Sequence, residues 1–286
     1  DLLVPAGDMY GLDIFGEAVI KARENAKAAG RQINYINRDF FDFTHKYLFD
    51  EIISNMPLRG KKTREEQDAF AVRSHQRACK AIKEGKFKDE ILPVELKDRK
   101  GNITIFDTDE GPREGQSMEK LAKLRPCFVK GGTVTAANSS SLNDGAAAVV
   151  VMSKEKAEEL GVTPKMKIEG YAIAGFDAEL MGYSPKFSSE KLANKLGVDL
   201  KSIDMFEINE AFASQAYAVS RDLGLDPEKV NIYGGGISIG HPIGATGAML
   251  TVKVMYELMR TDKKDAMISM CIGGGQGISM YFTKCE

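Results

Sequence analysis

The chain has no tryptophan, and only three histidines occur in its 286 residues: His45, His75 and His241. Four cysteines (Cys79, Cys127, Cys271 and Cys285) fall without a CxxC pair. Neither a disulfide framework nor a zinc site is implied. No charge sign is in excess: 39 Lys and Arg stand against 41 Asp and Glu, a net charge of −2. A balance like this gives no global attraction to nucleic acid. No apolar run approaches the ~18 residues that cross a bilayer. No charged-then-apolar leader opens the chain. A soluble, cytoplasmic protein with no membrane or nucleic-acid partner is expected. The content that remains, 43% hydrophobic and 28% charged with 28 glycines, is that of a folded α/β protein with a sizeable core.

Strand and helix patterns alternate from the start. Met9–Ile14 reads as a short strand ending at Asp13, residues 15–29 as an Ala/Lys/Glu/Arg helix stopped by Gly30, Ile33–Asn37 as a second strand and Phe49–Ser54 as a third. Such spacing indicates parallel strands with crossover helices. Thr63–Lys83 reads as a long helix, with Thr63 as N-cap and Glu66 completing a capping box. His75 lies within it and reads as a solvated or partly buried helix residue. Residues 84–130 are charged and loop-rich, with strand-like runs at Ile91–Leu96 and Ile103–Phe106. That length should fold against something.

Further on, Ala146–Met152 (AAAVVVM) reads as a fully buried strand, apolar on both faces. Helices are expected at Ser153–Leu160, Glu190–Leu196, Ala211–Leu223 and Gly244–Met259. Strands are expected at Met166–Ala174, Ile203–Ile208, Ala266–Ile272 and Ile278–Lys284, the last two as an antiparallel hairpin about a glycine turn.

Three clusters carry chemistry. Asn209-Glu210-Ala211-Phe212-Ala213 stands where a buried strand becomes a helix, a place where Asn serves equally well as N-cap. Gly234 to Gly244 (GGGISIGHPIG) sets His241 in a glycine loop, which exposes an imidazole rather than packing it. Cys271-Ile272-Gly273-Gly274-Gly275-Gln276-Gly277 puts a cysteine at a strand end beside backbone N–H groups that could form an oxyanion nest. Taken alone, Cys271 reads equally as an inert core thiol.

In this order, "NEAFA", "GGGISIGHPIGATGA" and "CIGGGQG" resemble the thiolases, the acetyl-CoA acetyltransferases. The resemblance runs from about Thr63 to the C-terminus and includes "TREEQDAFAVRSHQ", "GKFKDEILPV" and "NDGAAAVVVMS". It implies that residues 64–145 are the remnant of a loop domain and residues 146–286 a C-terminal αβα half, a mixed sheet flanked by helices. It also implies roles: His241 activates a nucleophilic cysteine and, with a water held by Asn209, forms an oxyanion site. Cys271 is the acid/base, the Gly273 N–H belongs to a second oxyanion hole, Ser140 touches pantetheine, and Met181 and Phe212 line the acyl pocket. The substrate is a coenzyme A thioester, with no cofactor. The partner is a second copy of the chain or a missing N-terminal half.

The departures are equally specific. Thiolases acylate a cysteine in an Asn-x-x-Cys-x-Ser-Gly setting, which these residues do not contain. Cys79 and Cys127 are poor substitutes, one in an amphipathic helix and the other in a charged loop. Ser141 and Ser184 stand where the family has Gly and would crowd the substrate channel. Residues 1–63 resemble instead the middle of an S-adenosylmethionine-dependent, RNA-directed methyltransferase. That resemblance implies a partial Rossmann-like βαβ segment with Asp13, Asp39 and Asn55 (in "SNMP", Ser54–Pro57) as cofactor and acceptor residues. On this reading the chain is a chimera joined near Lys61. S-adenosylmethionine becomes the alternative ligand, and acetyl transfer by the chain alone is doubtful. An inert fusion product is the third possibility.

Overall fold

The structure, a computed structural model, describes residues 9–13, 33–37 and 61–285. The chain divides into two compact units, Asp1–Ile52 and Ile53–Glu286. In the first, β1 (Met9–Asp13) and β2 (Ile33–Asn37) pair in parallel, with Asp13 opposite Asn37. This pair is the part of the expected βαβ segment that falls among the described residues. The helix at 15–29, the strand at 49–54, Asp39 and Asn55 lie outside them.

The second unit opens with α1 (Lys61–Lys83). It begins two residues before the expected cap, so Thr63 is inside the helix and not its N-cap. Its buried residues Phe70, Ala71, Ser74, His75, Ala78 and Ala81 recur at helical spacing. His75, expected to be solvated or half-buried, is buried, and its Nδ1 accepts the Arg113 amide at 3.2 Å. β3 (Val94–Lys97) and β4 (Ile103–Phe106) form an antiparallel hairpin with every residue exposed. Helix α2 (Met118–Ala122) follows, capped by Ser117.

The expected strand over 146–152 does not form. The segment is irregular, with Val150 86% and Val151 68% exposed. An apolar run becomes a strand only where neighbours take up its backbone hydrogen bonds, and among the described residues none does. Ser153 caps α3 (Lys154–Leu160), which Gly161 ends in the left-handed region.

The remaining elements are β5 (Met166–Gly175), α4 (Ser184–Leu196), β6 (Phe206–Ile208), α5 (Ala213–Asp222), α6 (Gly236–Ile239), α7 (Thr246–Arg260), β7 (Asp265–Cys271) and β8 (Gln276–Lys284). α4 starts six residues before the expected position because Pro185 suits the first helical turn. β6 is half the expected length, since residues 203–205 stay irregular after a 3-10 turn at residues 200–202. The strands order as β5-β8-β7-β6, with β6 and β7 parallel and the other pairs antiparallel. The mixed sheet flanked by helices is therefore present.

Alternation along the strands sorts two cores. Ala172, Phe206, Ile208, Met267 and Tyr281 pack with Leu192 of α4 and Val219 of α5. Met205, Ala266, Ile268 and Phe282 pack with Leu250, Val254 and Leu258 of α7. This clamping of the sheet fixes where β6 and β7 end, and those ends carry the site.

Candidate active site

Because β6 and β7 are parallel, both chains leave the sheet on the same side, where α/β proteins place their ligands. Ile208 lies opposite Ser269, and the Asn209 amide donates to the Ser269 carbonyl at 2.9 Å. Cys271, two residues further along, ends β7 opposite Gly277. Asn209 and Cys271 thus stand at adjacent strand ends.

His241 reaches this edge through the glycine turn. Buried Glu210 anchors that turn: it accepts Ser74 Oγ at 2.6 Å, Asn231 Nδ2 at 2.8 Å and the Ile237 amide at 3.3 Å. A Cβ on Gly235 would sit 2.5 Å from the Glu210 carboxyl carbon, so only glycine fits there. The His241 amide donates to Asn143 Oδ1 at 3.3 Å, and its Nδ1 is 2.7 Å from Thr246 Oγ1. Asn209 Nδ2 lies 3.3 Å from Nε2 and 3.5 Å from Nδ1. The first turn of α7 rests on β7, where a Cβ on Gly247 would be 3.4 Å from the Met270 sulfur, next to Cys271.

Burial sets the protonation states. It pushes the His241 pKa below its ordinary value and the Cys271 thiol above its own. At neutral pH the site therefore holds a neutral imidazole and an un-ionised thiol, one group able to accept a proton and one able to give it. Among the described residues no group of His, Cys, Asp and Glu could hold a metal ion.

The loop after Cys271 turns on three left-handed glycines, Gly273, Gly274 and Gly275, with φ of +88°, +57° and +79°. Open space surrounds the Cβ position of Gly273, whereas Gly275 packs on Phe176, whose amide donates to the Gly275 carbonyl at 2.7 Å. That contact brings in the segment with Met181, which is half-buried. On the other side, the Ser140 amide donates to the Ala211 carbonyl at 3.0 Å, and Ser139 bridges to Phe212. The Phe212 ring meets Phe128 edge-on at 6.3 Å.

The two serines expected to crowd the channel each hydrogen-bond to a near neighbour in the chain. Ser141 Oγ donates to Asn143 Oδ1 at 2.7 Å and Ser184 Oγ to the Met181 carbonyl at 2.6 Å. The sequence reading missed Thr246, Asn143, Glu210 and Phe128 as parts of the site. Thr246 carried a local signal, a hydroxyl five residues after the histidine at a helix start. Phe128 carried none.

A proton acceptor, a proton donor and a loop of backbone N–H groups on one edge suit chemistry at a carbonyl. Comparison with known proteins agrees. Residues 31–155 match the family model "Thiolase, N-terminal domain" and residues 162–284 match "Thiolase, C-terminal domain". The chain belongs to the thiolase family.

It is 46% identical over 249 residues to an acetyl-CoA acetyltransferase of Pseudomonas aeruginosa, covering 87% of this chain and 63% of that protein. An acetyl-CoA acetyltransferase of Chromobacterium violaceum is 41% identical over 280 residues, or 97% of this chain and 71% of its own length. The human mitochondrial 3-ketoacyl-CoA thiolase solved in complex with CoA superposes with a TM-score of 0.78 at 40% identity, covering 83% of this chain and 59% of that one. This thiolase chain thus spans roughly three fifths of the length of several relatives it matches.

These matches correct two expectations. Both thiolase domains are represented, not the C-terminal one only. Residues 31–63, read as methyltransferase-like, lie within the N-terminal match, so the methyltransferase assignment of Asp39 and Asn55 falls. Asp13 lies before the match, and nothing supports a cofactor role for it. The unpaired 146–152 run also belongs to the N-terminal match.

Proposed function

We propose that this chain serves a thiolase-type acyl-CoA acyltransferase, with Asn209, His241 and Cys271 supplying proton transfer and oxyanion stabilisation. The contact of Asn209 with His241, at the strand end beside that of Cys271, carries the reading. In the thiolytic direction the family's acyl-accepting cysteine, supplied from outside these residues, bonds as thiolate to the 3-keto carbon. The C2–C3 bond breaks, the acyl group stays on that sulfur, and the electron pair passes to the α-carbon of the departing acetyl-CoA. Cys271 gives its sulfur-bound proton to that carbon. In the condensing direction the same Cys271 sulfur, as thiolate, takes that proton from acetyl-CoA, and the enolate oxygen is held by a water on Asn209 and by His241 Nε2 once that nitrogen has taken up a proton. Met181 and Phe212 line the acyl side and Ser140 the pantetheine side. The acyl-accepting cysteine motif of the family is not among these 286 residues, so the chain by itself is expected to bind acetyl-CoA without becoming acetylated.

Calorimetry with acetyl-CoA, together with intact mass measurement, tests this. Saturable binding that Phe212→Ala weakens is expected, with no added acetyl mass. Heat with S-adenosylmethionine and none with acetyl-CoA would sink the reading. A stable acetyl adduct on Cys79, Cys127 or Cys271 would show that a substitute nucleophile exists.

A further inference from the structure

We propose that Thr246 sets the tautomer of His241, holding the proton on Nδ1 and leaving Nε2 bare as the working base; its catalytic meaning rests on the thiolase reading, its geometry does not. A threonine hydroxyl has one proton and two acceptor positions. Thr246 Oγ1 is 2.9 Å from the Pro242 carbonyl, four residues back, the usual partner of a helical hydroxyl. With its proton there, the oxygen offers only a lone pair to His241 Nδ1 at 2.7 Å. Nδ1 must then carry hydrogen, and Nε2 cannot, because the ring is neutral.

A second contact is neutral. The Asn209 amide nitrogen, a donor, stands 3.3 Å from Nε2 and 3.5 Å from Nδ1. Almost equidistant from both, it faces one N–H and one lone pair in either tautomer and does not decide between them. The competing arrangement is equally definite. Pro242 O also accepts the Ala245 and Thr246 amides at 2.8 and 2.9 Å, so the hydroxyl could leave it and donate to Nδ1. The ring proton would then sit on Nε2. The helical Thr246 Oγ1–Pro242 hydrogen bond favours the first arrangement. The threonine is buried, 3% exposed, so its hydroxyl is held by these two partners.

The same protein contains an internal standard. His75 Nδ1 accepts the Arg113 amide at 3.2 Å, so that ring must carry its proton on Nε2. The two histidines are therefore expected in opposite tautomers. Long-range 1H–15N correlation on the 15N-histidine-labelled chain, without substrate and well above the histidine pKa values, reads each ring nitrogen directly. His45 is assigned by its loss in His45→Gln. Nδ1–H for His241 and Nε2–H for His75 are expected in the unaltered protein. Thr246→Val should move the His241 proton to Nε2 or scramble it, Thr246→Ser should restore Nδ1–H, and His75 should not change. Nε2–H for His241 in the unaltered protein overturns the proposal, as does an unchanged tautomer in Thr246→Val. Because no substrate is present, either result leaves the acetyl-CoA binding test standing on its own.

Discussion

Glu90 is a buried carboxylate whose cost should be visible in pH-dependent stability. Its side chain is 7% exposed, and its nearest cation, Arg260 Nη2, is 3.9 Å away. Burial raises its pKa from 4.5 to about 7; Lys253 and Arg260 pull it down and Glu207 and Asp109 push it up. The folded pKa is the higher one, so the folded state binds more protons than the unfolded state between 4.5 and 7. Stability from this group is complete below about 4.5 and is lost as pH rises through 7. At about 1.36 kcal/mol per pH unit of displacement, the loss is at most about 3.4 kcal/mol.

Glu90→Gln keeps the shape and removes the charge. Urea unfolding followed by circular dichroism at pH 5 and at pH 7.5 is the assay. The variant should be within about 1 kcal/mol of the parent at pH 5 and about 2–3 kcal/mol more stable at pH 7.5. A difference that does not grow with pH would refute the reasoning, and a variant less stable at pH 7.5 would show that Arg260 outweighs desolvation.

Three other outcomes follow from particular contacts. Lys253 Nζ lies 2.8 Å from both Glu207 Oε2 and the Gly234 carbonyl, with Glu207 fully buried; Lys253→Met should cost about 3–5 kcal/mol, much of it recovered when Glu207→Leu is added, as read from urea midpoints. Gly235→Ala, which drives a methyl against Glu210, should cost about 1–3 kcal/mol, whereas Gly244→Ala, with open space around it, should stay within about 0.5 kcal/mol in the same melts. Iodoacetamide followed by peptide mass mapping should modify exposed Cys127 first and Cys271 last at pH 7.5, with Cys271 gaining speed only as pH rises toward its elevated pKa; prompt labelling of Cys271 at neutral pH would mean its thiol is not held un-ionised.

Local chemistry made much of this protein readable in one dimension. Apolar residues at Leu250, Val254 and Leu258 announce α7 by their spacing alone. The helices expected to end at Leu160 and Leu196 do end there, each at a left-handed glycine, Gly161 and Gly197. The histidine among glycines and the cysteine before a glycine run marked the site, because few packing roles require such neighbours. The family resemblance then fixed their relationship to each other.

Tertiary structure decided the rest, because strand pairing depends on closure between residues far apart, which periodicity does not encode. Ala146–Met152 has the composition of a buried strand, yet among the described residues it has no ladder to join and stays exposed. β6 shortens to three residues, and its place beside β7 puts Asn209 and Cys271 on one edge. Phe128 meets Phe212 across 84 positions, and Asn143 supports His241 across 98. Even Thr246, five residues from His241, becomes its partner only because the Pro242 turn folds the hydroxyl back onto the ring. Composition and spacing therefore named the reacting groups, while burial and long-range packing determined their partners and their protonation.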